Sequence, residues 1–258
     1  MSAAENKRRV GRYFAARRTS PWIQSLERVP VWLPLRVVIL VAASLGVAAA
    51  AALPEGAAQS SWTSTERIAG PEGYRLFRSD FRDSDFPAYR LEATIEASAA
   101  SVAAAFRKNL VDPSVSPKNV VKTVLRAREG VIVLYSYIEV PLFSDRDVTT
   151  RVARSLDSET GIYRFEWQAT DVGPPPVHGV VRLQESSGSW VFTPLADGRT
   201  SAVCESHTEI GGVVPAWLVN SFTGDTVVDG LVLLRARVER DKQRMAAESL
   251  EQGRGVIP

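Results

Sequence analysis

The sequence has a single cysteine, Cys204, and two histidines, His178 and His207, in 258 residues. One cysteine excludes an intramolecular disulfide and any zinc site built from several cysteines. The two histidines stand 29 positions apart, without carboxylates at ligand spacing, so we predict no metal site. A glycine-rich phosphate loop and a nucleophilic serine turn are also missing, so we predict no cofactor and no catalytic constellation.

An excess of positive charge is confined to the N-terminal 36 residues. Residues 1–36 contain eight Lys or Arg and two Glu, whereas the rest of the chain has four more acidic than basic residues. The part of the chain that can fold is therefore mildly acidic. This balance argues against a nucleic acid as partner.

One long hydrophobic run is present, Val37–Leu53, with 17 residues and no charge. Its length is at the lower end of the about 17–25 residues that span a bilayer. The run is either a transmembrane signal anchor or the apolar core of a cleaved signal peptide, with a buried core helix as a third alternative. The basic residues before it predict a cytoplasmic N-terminus. We therefore expect the folded domain on the periplasmic or extracellular side, anchored in the membrane or exported after cleavage.

These features divide the chain into five regions. Residues 1–36 form a basic cytoplasmic tail, 37–53 the anchor or signal segment, and 54–64 a linker. One folded domain is predicted over residues 65–243, followed by a flexible tail at 244–258.

Alternation of apolar and polar residues predicts a domain made mostly of antiparallel strands. The predicted strands are Tyr74–Arg78, Ala88–Glu96, Val120–Ala127, Val131–Val140, Val148–Leu156, Ile162–Ala169, Val177–Glu185, Ser189–Leu195 and Thr200–Ile210. Ser98 is predicted to cap a helix over residues 99–110. Among the predicted turns are Arg128–Gly130 and Ser186–Gly188.

A long amphipathic helix is predicted at the C-terminus, after Gly211 and Gly212. Val227, Leu231, Leu234 and Val238 recur at helical spacing and form one apolar stripe. Such a helix is stabilised mainly by packing, so the stripe is expected to lie against the sheet. The predicted class is α+β, with a curved antiparallel sheet around a long C-terminal helix and an apolar cavity between them.

Three stretches resemble the START domain, the steroidogenic-acute-regulatory-related lipid-transfer domain of the helix-grip, Bet v 1-like superfamily. The first is residues 141–148, PLFSDRDV, where a loop leads into an Arg-Asp pair. The second is residues 188–195, GSWVFTPL, with DGRT at 197–200. The third is residues 212–220, GVVPAWLVN, at the start of the final helix. Their order and spacing fit one domain of this size.

The resemblance implies that a lipid or another hydrophobic small molecule binds in a tunnel between the sheet and the C-terminal helix. Its implied entrance consists of six apolar residues. These are Pro141, Leu142, Phe143, Val213, Val214 and Trp217. Leu142 and Phe143 are expected either to touch a membrane during lipid exchange or to pack under the helix.

Arg146 and Asp147 are predicted to organise this loop rather than to carry out chemistry. Adjacent strand residues point to opposite faces of a sheet, so both cannot enter the cavity. Hydrogen bonds and charge pairing are the roles that suit them. The cavity positions of the middle strands, such as Val133 and Val152, are aliphatic, and the acid–arginine pair of some sterol-binding members is not evident. These features disfavour a sterol and leave acyl chains, hopanoid-like molecules and other apolar ligands open.

Two other functional classes are weighed against ligand binding. Related helix-grip proteins include polyketide cyclases and hydrolases, so an enzyme that uses the same cavity is the alternative. A purely structural domain with a filled interior is the third class. His207 shares a strand face with Glu205 and Glu209, which we interpret as a solvated polar face. Cys204 is interpreted as a small core residue.

Overall fold

The computed structural model describes residues 63–64, 73–80, 84–117, 119–212 and 216–254, with side chains over 73–80, 84–117, 119–212 and 224–251. Within these residues, none of the helices combines the length and the apolar character that a bilayer crossing requires. The run Val37–Leu53 lies outside the described residues. The membrane anchor or signal segment therefore stays a prediction.

Ten strands and two helices make up the described chain. The strands are β1 Thr63–Ser64, β2 Tyr74–Ser79, β3 Ala88–Ile95, β4 Val120–Arg128, β5 Val131–Ile138, β6 Arg146–Leu156, β7 Tyr163–Ala169, β8 Val181–Arg182, β9 Ser186–Pro194 and β10 Thr200–Thr208. The helices are α1 Ala99–Val111 and α2 Ala216–Arg254. Nine strands form an antiparallel sheet in the order β1-β2-β3-β10-β9-β7-β6-β5-β4, and β8 pairs with β6 in parallel. This curved sheet with its C-terminal helix confirms the predicted α+β helix-grip class.

The local signals that predicted the first elements are visible in the structure. In β3, Tyr89, Leu91, Ala93 and Ile95 are buried, while the residues that alternate with them are half-buried. The Ser98 hydroxyl accepts a hydrogen bond from the Ser101 N–H at 3.3 Å and caps α1. Gly130 turns the β4–β5 hairpin with a φ of 78°, in the left-handed region that glycine adopts without a steric penalty.

Helix α2 is held by its apolar stripe and by polar contacts with α1. Val227, Leu231, Leu234 and Val238 are all buried, as predicted. On a neighbouring face of the helix, Arg237 donates to Asn109 Oδ1 at 2.9 Å and to Asp112 Oδ2 at 2.7 Å. The two helices therefore cover one face of the sheet as a connected pair.

The predicted strand Val177–Glu185 is largely wrong. Strand structure is limited to β8, where Val181 N–H donates to Asp145 O at 2.9 Å and Leu183 N–H to Asp147 O at 2.8 Å. Pro174–Pro176 precede this segment, and proline has no N–H for a sheet ladder. This region consequently pairs in parallel with only the first two residues of β6, Arg146 and Asp147, instead of adding a full strand.

The predicted turn at Ser186–Gly188 is also wrong, because these residues begin β9. A Cβ atom at Gly188 would lie 2.3 Å from both Glu205 O and Trp167 Cζ2. Glycine is present here because the Trp167 ring packs directly on the backbone. A glycine within a strand often marks such a close approach rather than a turn.

Candidate functional site

A cavity of about 320 Å³ lies between the sheet and the two helices. Strands β4–β6, β7, β9 and β10 contribute its walls, and α1 and α2 cover it through residues such as Phe106, Leu110 and Val227. The volume is at the lower end of the about 300–1,000 Å³ of typical ligand pockets. The sheet and the C-terminal helix thus enclose space for a compact ligand.

Aromatic side chains close one end of this cavity. Trp167 and Trp190 line it directly. Phe106 lies beneath them, with its ring centre 4.9 Å from that of Phe165 and 5.6 Å from that of Phe192. Because such edge-to-face pairs are rigid and apolar, this end suits a hydrocarbon.

Hydroxyl groups line the middle of the sheet side of the cavity. They belong to Ser136, Thr150, Ser186, Ser206 and Thr208. Two of them, Ser186 Oγ and Thr208 Oγ1, lie 3.1 Å apart and hydrogen-bond to each other. The cavity wall is therefore apolar with a few neutral polar groups, the composition expected of a small-molecule site.

Two cationic side chains also line the cavity, Lys122 and Arg146. The Lys122 ammonium donates to Asn109 O and, at 2.9 Å, to Val115 O. Burial lowers the pKa of Lys122 to about 8. It therefore remains mostly protonated at neutral pH, in a largely apolar surrounding.

Arg146 connects the loop after β5 to the segment before α2. It is 3% exposed, and it donates to Ser144 O, to Ile210 O at 3.4 Å and to Gly211 O at 3.2 Å. Burial lowers the pKa of Arg146, and the carboxylate of Asp145 opposes that effect. The guanidinium thus ties together the backbone of two chain segments at one end of the cavity.

Asp147 lies on the opposite face of β6, within a buried polar network. Its carboxylate accepts from Tyr135 OH at 2.9 Å, from Arg182 Nε at 2.6 Å and from Arg182 Nη2 at 2.9 Å. Burial, and then the Asp147 charge, raise the pKa of Tyr135. This network holds β8 against β6.

The loop between β5 and β6 has an apolar tip. Leu142 is 95% exposed and has a φ of 69°, which is uncommon for a residue other than glycine. Pro141 is exposed and Phe143 is half-buried. None of the three is among the described residues that line the cavity, although Ile138 and Arg146 on either side of the loop line it.

The remaining predicted entrance residues lie outside what the structure describes. Val213 and Val214 are outside the described residues, and Trp217 belongs to α2 without a described side chain. The entrance therefore stays a prediction. Of the two aliphatic positions, Val152 lines the cavity, whereas Val133 does not, because its neighbour Leu134 points to that side.

The predicted exposure of His207 is wrong. The residue is 5% exposed, and its Nε2 atom lies 3.3 Å from Glu209 Oε1. The ligand atoms of Glu185, His207 and Glu209 lie within 4.8 Å of one another. His207 is on the other face of β10 from Ser206, away from the cavity.

Sequence reasoning missed Lys122 as a site residue. The sequence does indicate it, because Lys122 lies two residues from both Val120 and Val124 and so shares their strand face. A lysine on the inner face of a strand is unusual enough to indicate a function. The cavity hydroxyls had no comparable signal, because serine and threonine are common on both faces of a sheet.

Comparisons with known proteins place this geometry in a family. The START domain family matches residues 56–244. An uncharacterized protein of Pseudomonas aeruginosa is 28% identical over 209 residues, covering 80% of this chain and 98% of its own length.

Two solved structures have a similar fold. One is a fragment of a STAR-related lipid transfer protein from Xanthomonas axonopodis, with a TM-score of 0.59 and 23% identity, covering 69% of this chain and 98% of that chain. The other is human StAR-related lipid transfer protein 5, with a TM-score of 0.56 and 19% identity, covering 70% of this chain and 88% of that chain. The chain belongs to the START domain family.

Proposed function

We propose that the protein binds, and transfers between membranes, one lipid or other hydrophobic small molecule in the cavity between its sheet and α2. The observation that carries this proposal is the cavity of about 320 Å³, which is lined largely by aromatic and aliphatic side chains. A domain with a purely structural role would gain stability by filling that space, since empty apolar volume destabilises a fold. The names of the similar lipid transfer proteins agree with this reading.

The enzyme alternative has less support. Among the described lining residues there is no histidine, cysteine, aspartate or glutamate. Cyclisation or hydrolysis in this cavity would need a general acid or base within hydrogen-bond reach of the substrate. Lys122 is the lining group whose pKa, about 8, is nearest to neutrality, and backbone carbonyls already accept two of its hydrogen bonds. We therefore favour binding over catalysis.

Filling the cavity tests the binding proposal. Thr150 lines the cavity from β6, so Thr150→Phe places a ring in the space that a ligand would occupy. We expect the affinity of the full-length protein for N-phenyl-1-naphthylamine, a neutral fluorescent apolar probe, to fall at least about tenfold. The affinity is measured by titration of the probe fluorescence.

The matched control is Arg151→Phe, on the opposite, exposed face of the same strand. It adds the same ring without entering the cavity and should leave probe affinity unchanged. Equal affinity of wild type and Thr150→Phe, with both folded by circular dichroism, would exclude this cavity as the binding site.

We also propose that the β5–β6 loop contacts the membrane during ligand exchange. Support comes from Leu142, which is held fully exposed at the loop tip in a strained backbone conformation. An exposed apolar side chain next to a cavity is suited to enter the lipid surface. The loop adjoins the cavity end where Ile138 and Arg146 lie.

Leu142→Asp is expected to slow ligand exchange about tenfold, because a carboxylate is disfavoured at lipid depth. The rate is measured as transfer of a fluorescent acyl-chain probe from donor vesicles of phosphatidylcholine and phosphatidylglycerol, with the full-length protein. Equilibrium affinity for the probe should not change. Leu142 is preferred to Phe143 as the test site because Phe143 is half-buried, and its replacement would also disturb packing.

The control for the loop is Leu156→Asp at the other end of β6. Leu156 is 46% exposed and stands ten residues from Arg146, about 33 Å along an extended strand. Its substitution should leave the exchange rate as in wild type. An equal effect of both variants would argue against a specific role of the loop.

A further inference from the structure

The ammonium of Lys122 has hydrogen-bonding capacity that the described protein does not use. A lysine ammonium has three N–H donors. Asn109 O and Val115 O, the latter at 2.9 Å, accept two of them. Since Lys122 also lines the cavity, the third donor is available to a bound molecule.

The charge of Lys122 has no carboxylate within ion-pair distance among the residues that the structure describes. The charged groups that act on it are Asp112, from the end of α1, and Arg237, from α2. Asp112 is itself bound to Arg237 Nη2 at 2.7 Å and to the Ser114 hydroxyl at 2.6 Å. Lys122 thus has no direct counter-ion among the described residues, and burial makes such a charge costly unless it is paired.

A second polar group without a partner among the described residues lines the same cavity. The Ser116 hydroxyl oxygen is buried and has no hydrogen-bond partner within the described part of the chain. Ser116 lines the same cavity and follows Val115, whose carbonyl Lys122 contacts. A buried hydroxyl without a partner and an ammonium with one free N–H, both lining one cavity, indicate a place for an oxygen-rich, negatively charged group.

The other cation of the cavity is less suited to this role. Arg146 already donates to three backbone carbonyls, those of Ser144, Ile210 and Gly211. Lys122 pairs across β5 with Ser136 and on to Val148, and Val152 stands four residues further along β6. That spacing corresponds to about 13 Å of strand, leading towards the aromatic end of the cavity. A hydrocarbon chain of moderate length fits this path.

We propose that the cavity ligand is a single-chain amphiphile whose carboxylate binds Lys122 Nζ and the Ser116 hydroxyl, with its hydrocarbon chain directed towards Trp167 and Trp190. This inference rests on the proposed binding function and specifies its ligand class. The volume of about 320 Å³ favours one chain over two.

The test compares two probes that differ only in the head group, decanoate and decanol, by titration calorimetry with the full-length protein. At neutral pH, wild type is expected to bind decanoate about tenfold more tightly, the effect of one hydrogen bond to a charged group. Lys122→Met should lose this preference for decanoate over decanol, and Lys122→Arg should retain part of it. Lys108→Met, on an α1 residue that does not line the cavity, is the matched control.

A pH series on wild type gives an independent readout. Because the pKa of Lys122 is about 8, the ammonium loses its proton above that value, and the preference for decanoate should decline between pH about 7 and about 10. In the complex, the bound carboxylate favours the protonated amine, so the decline continues above the pKa of the free amine. Arg146 keeps its charge throughout this range, so the decline assigns the effect to Lys122. The pH series uses wild type alone, so it tests the role of Lys122 even if Lys122→Met does not fold.

The outcomes separate the two proposals. Equal binding of both probes to wild type, or a preference that persists in folded Lys122→Met, would overturn the carboxylate inference and leave the binding function standing. Binding of neither probe would overturn the binding function, and the inference with it. A decanoate preference that disappears in Lys122→Met and with rising pH supports both.

Discussion

Replacing Asp147 by alanine is expected to lower the free energy of unfolding by about 3–5 kcal/mol. Asp147 is fully buried and accepts hydrogen bonds from Tyr135 and, through both oxygens, from Arg182. The substitution leaves the Arg182 guanidinium, whose side chain is 18% exposed, without its counter-charge. Urea unfolding followed by tryptophan fluorescence measures the change.

The matched control for this prediction is Glu159→Ala. Glu159 lies in the exposed turn between β6 and β7, and its removal should change stability by less than about 0.5 kcal/mol. In the double variant Asp147→Ala with Arg182→Met, the loss should be smaller than the sum of the two single losses, because no uncompensated charge remains. A loss below about 1 kcal/mol for Asp147→Ala would contradict the structural role of this network.

Gly188→Ala is expected to destabilise the protein by about 3 kcal/mol, the upper end of the usual range for overpacking. Its Cβ would lie 2.3 Å from the backbone oxygen of Glu205, which cannot move without breaking the β9–β10 ladder. It would also lie 2.3 Å from Trp167 Cζ2 and push that ring into the cavity. Probe affinity should therefore fall together with thermal stability.

Gly73→Ala is the control, because no atom lies within 4 Å of the Cβ position there. It should leave stability within about 0.5 kcal/mol of wild type. A Gly188→Ala variant with unchanged stability and unchanged probe affinity would show that the Trp167 ring is not fixed against β9.

The architecture followed from periodicity wherever an element has one buried face. In β3 and in the stripe from Val227 to Val238, alternation at the strand or helix period identified the buried side chains. The resemblance to START domains then supplied the arrangement of these elements. Local patterns alone do not fix which strands become neighbours in a sheet.

The wrong sequence predictions concern residues whose type fits two different structural environments. Gly188 serves close packing beneath Trp167, but in a sequence a Ser-Ser-Gly run is equally typical of a turn. The sequence predicts that Val133 faces the cavity, but β5 is buried on both faces, so polarity does not reveal which face is inner. The acidic strand neighbours of His207 predict exposure to solvent, yet His207 is buried.

The sequence predicts that a cavity exists, but it does not give the volume of that cavity. Its volume depends on how side chains from the sheet and both helices meet, and small differences in packing decide whether such a space is open or filled. Lys122 was identifiable from alternation alone. Its contacts with Asn109 O and Val115 O required coordinates, because they link a strand to the helix and loop before it.

Cys204 is a natural reporter of transient opening of the protein interior. It is the single thiol of the chain and is 1% exposed, in β10 between Leu91 of β3 and Trp190 of β9. Burial raises its pKa, so the closed protein presents neither access nor thiolate to an alkylating reagent. The alkylation rate of the natural sequence therefore reports how often the interior opens to solvent. Slowing of that rate by a bound molecule would measure how far the molecule stabilises the closed protein, without any introduced label.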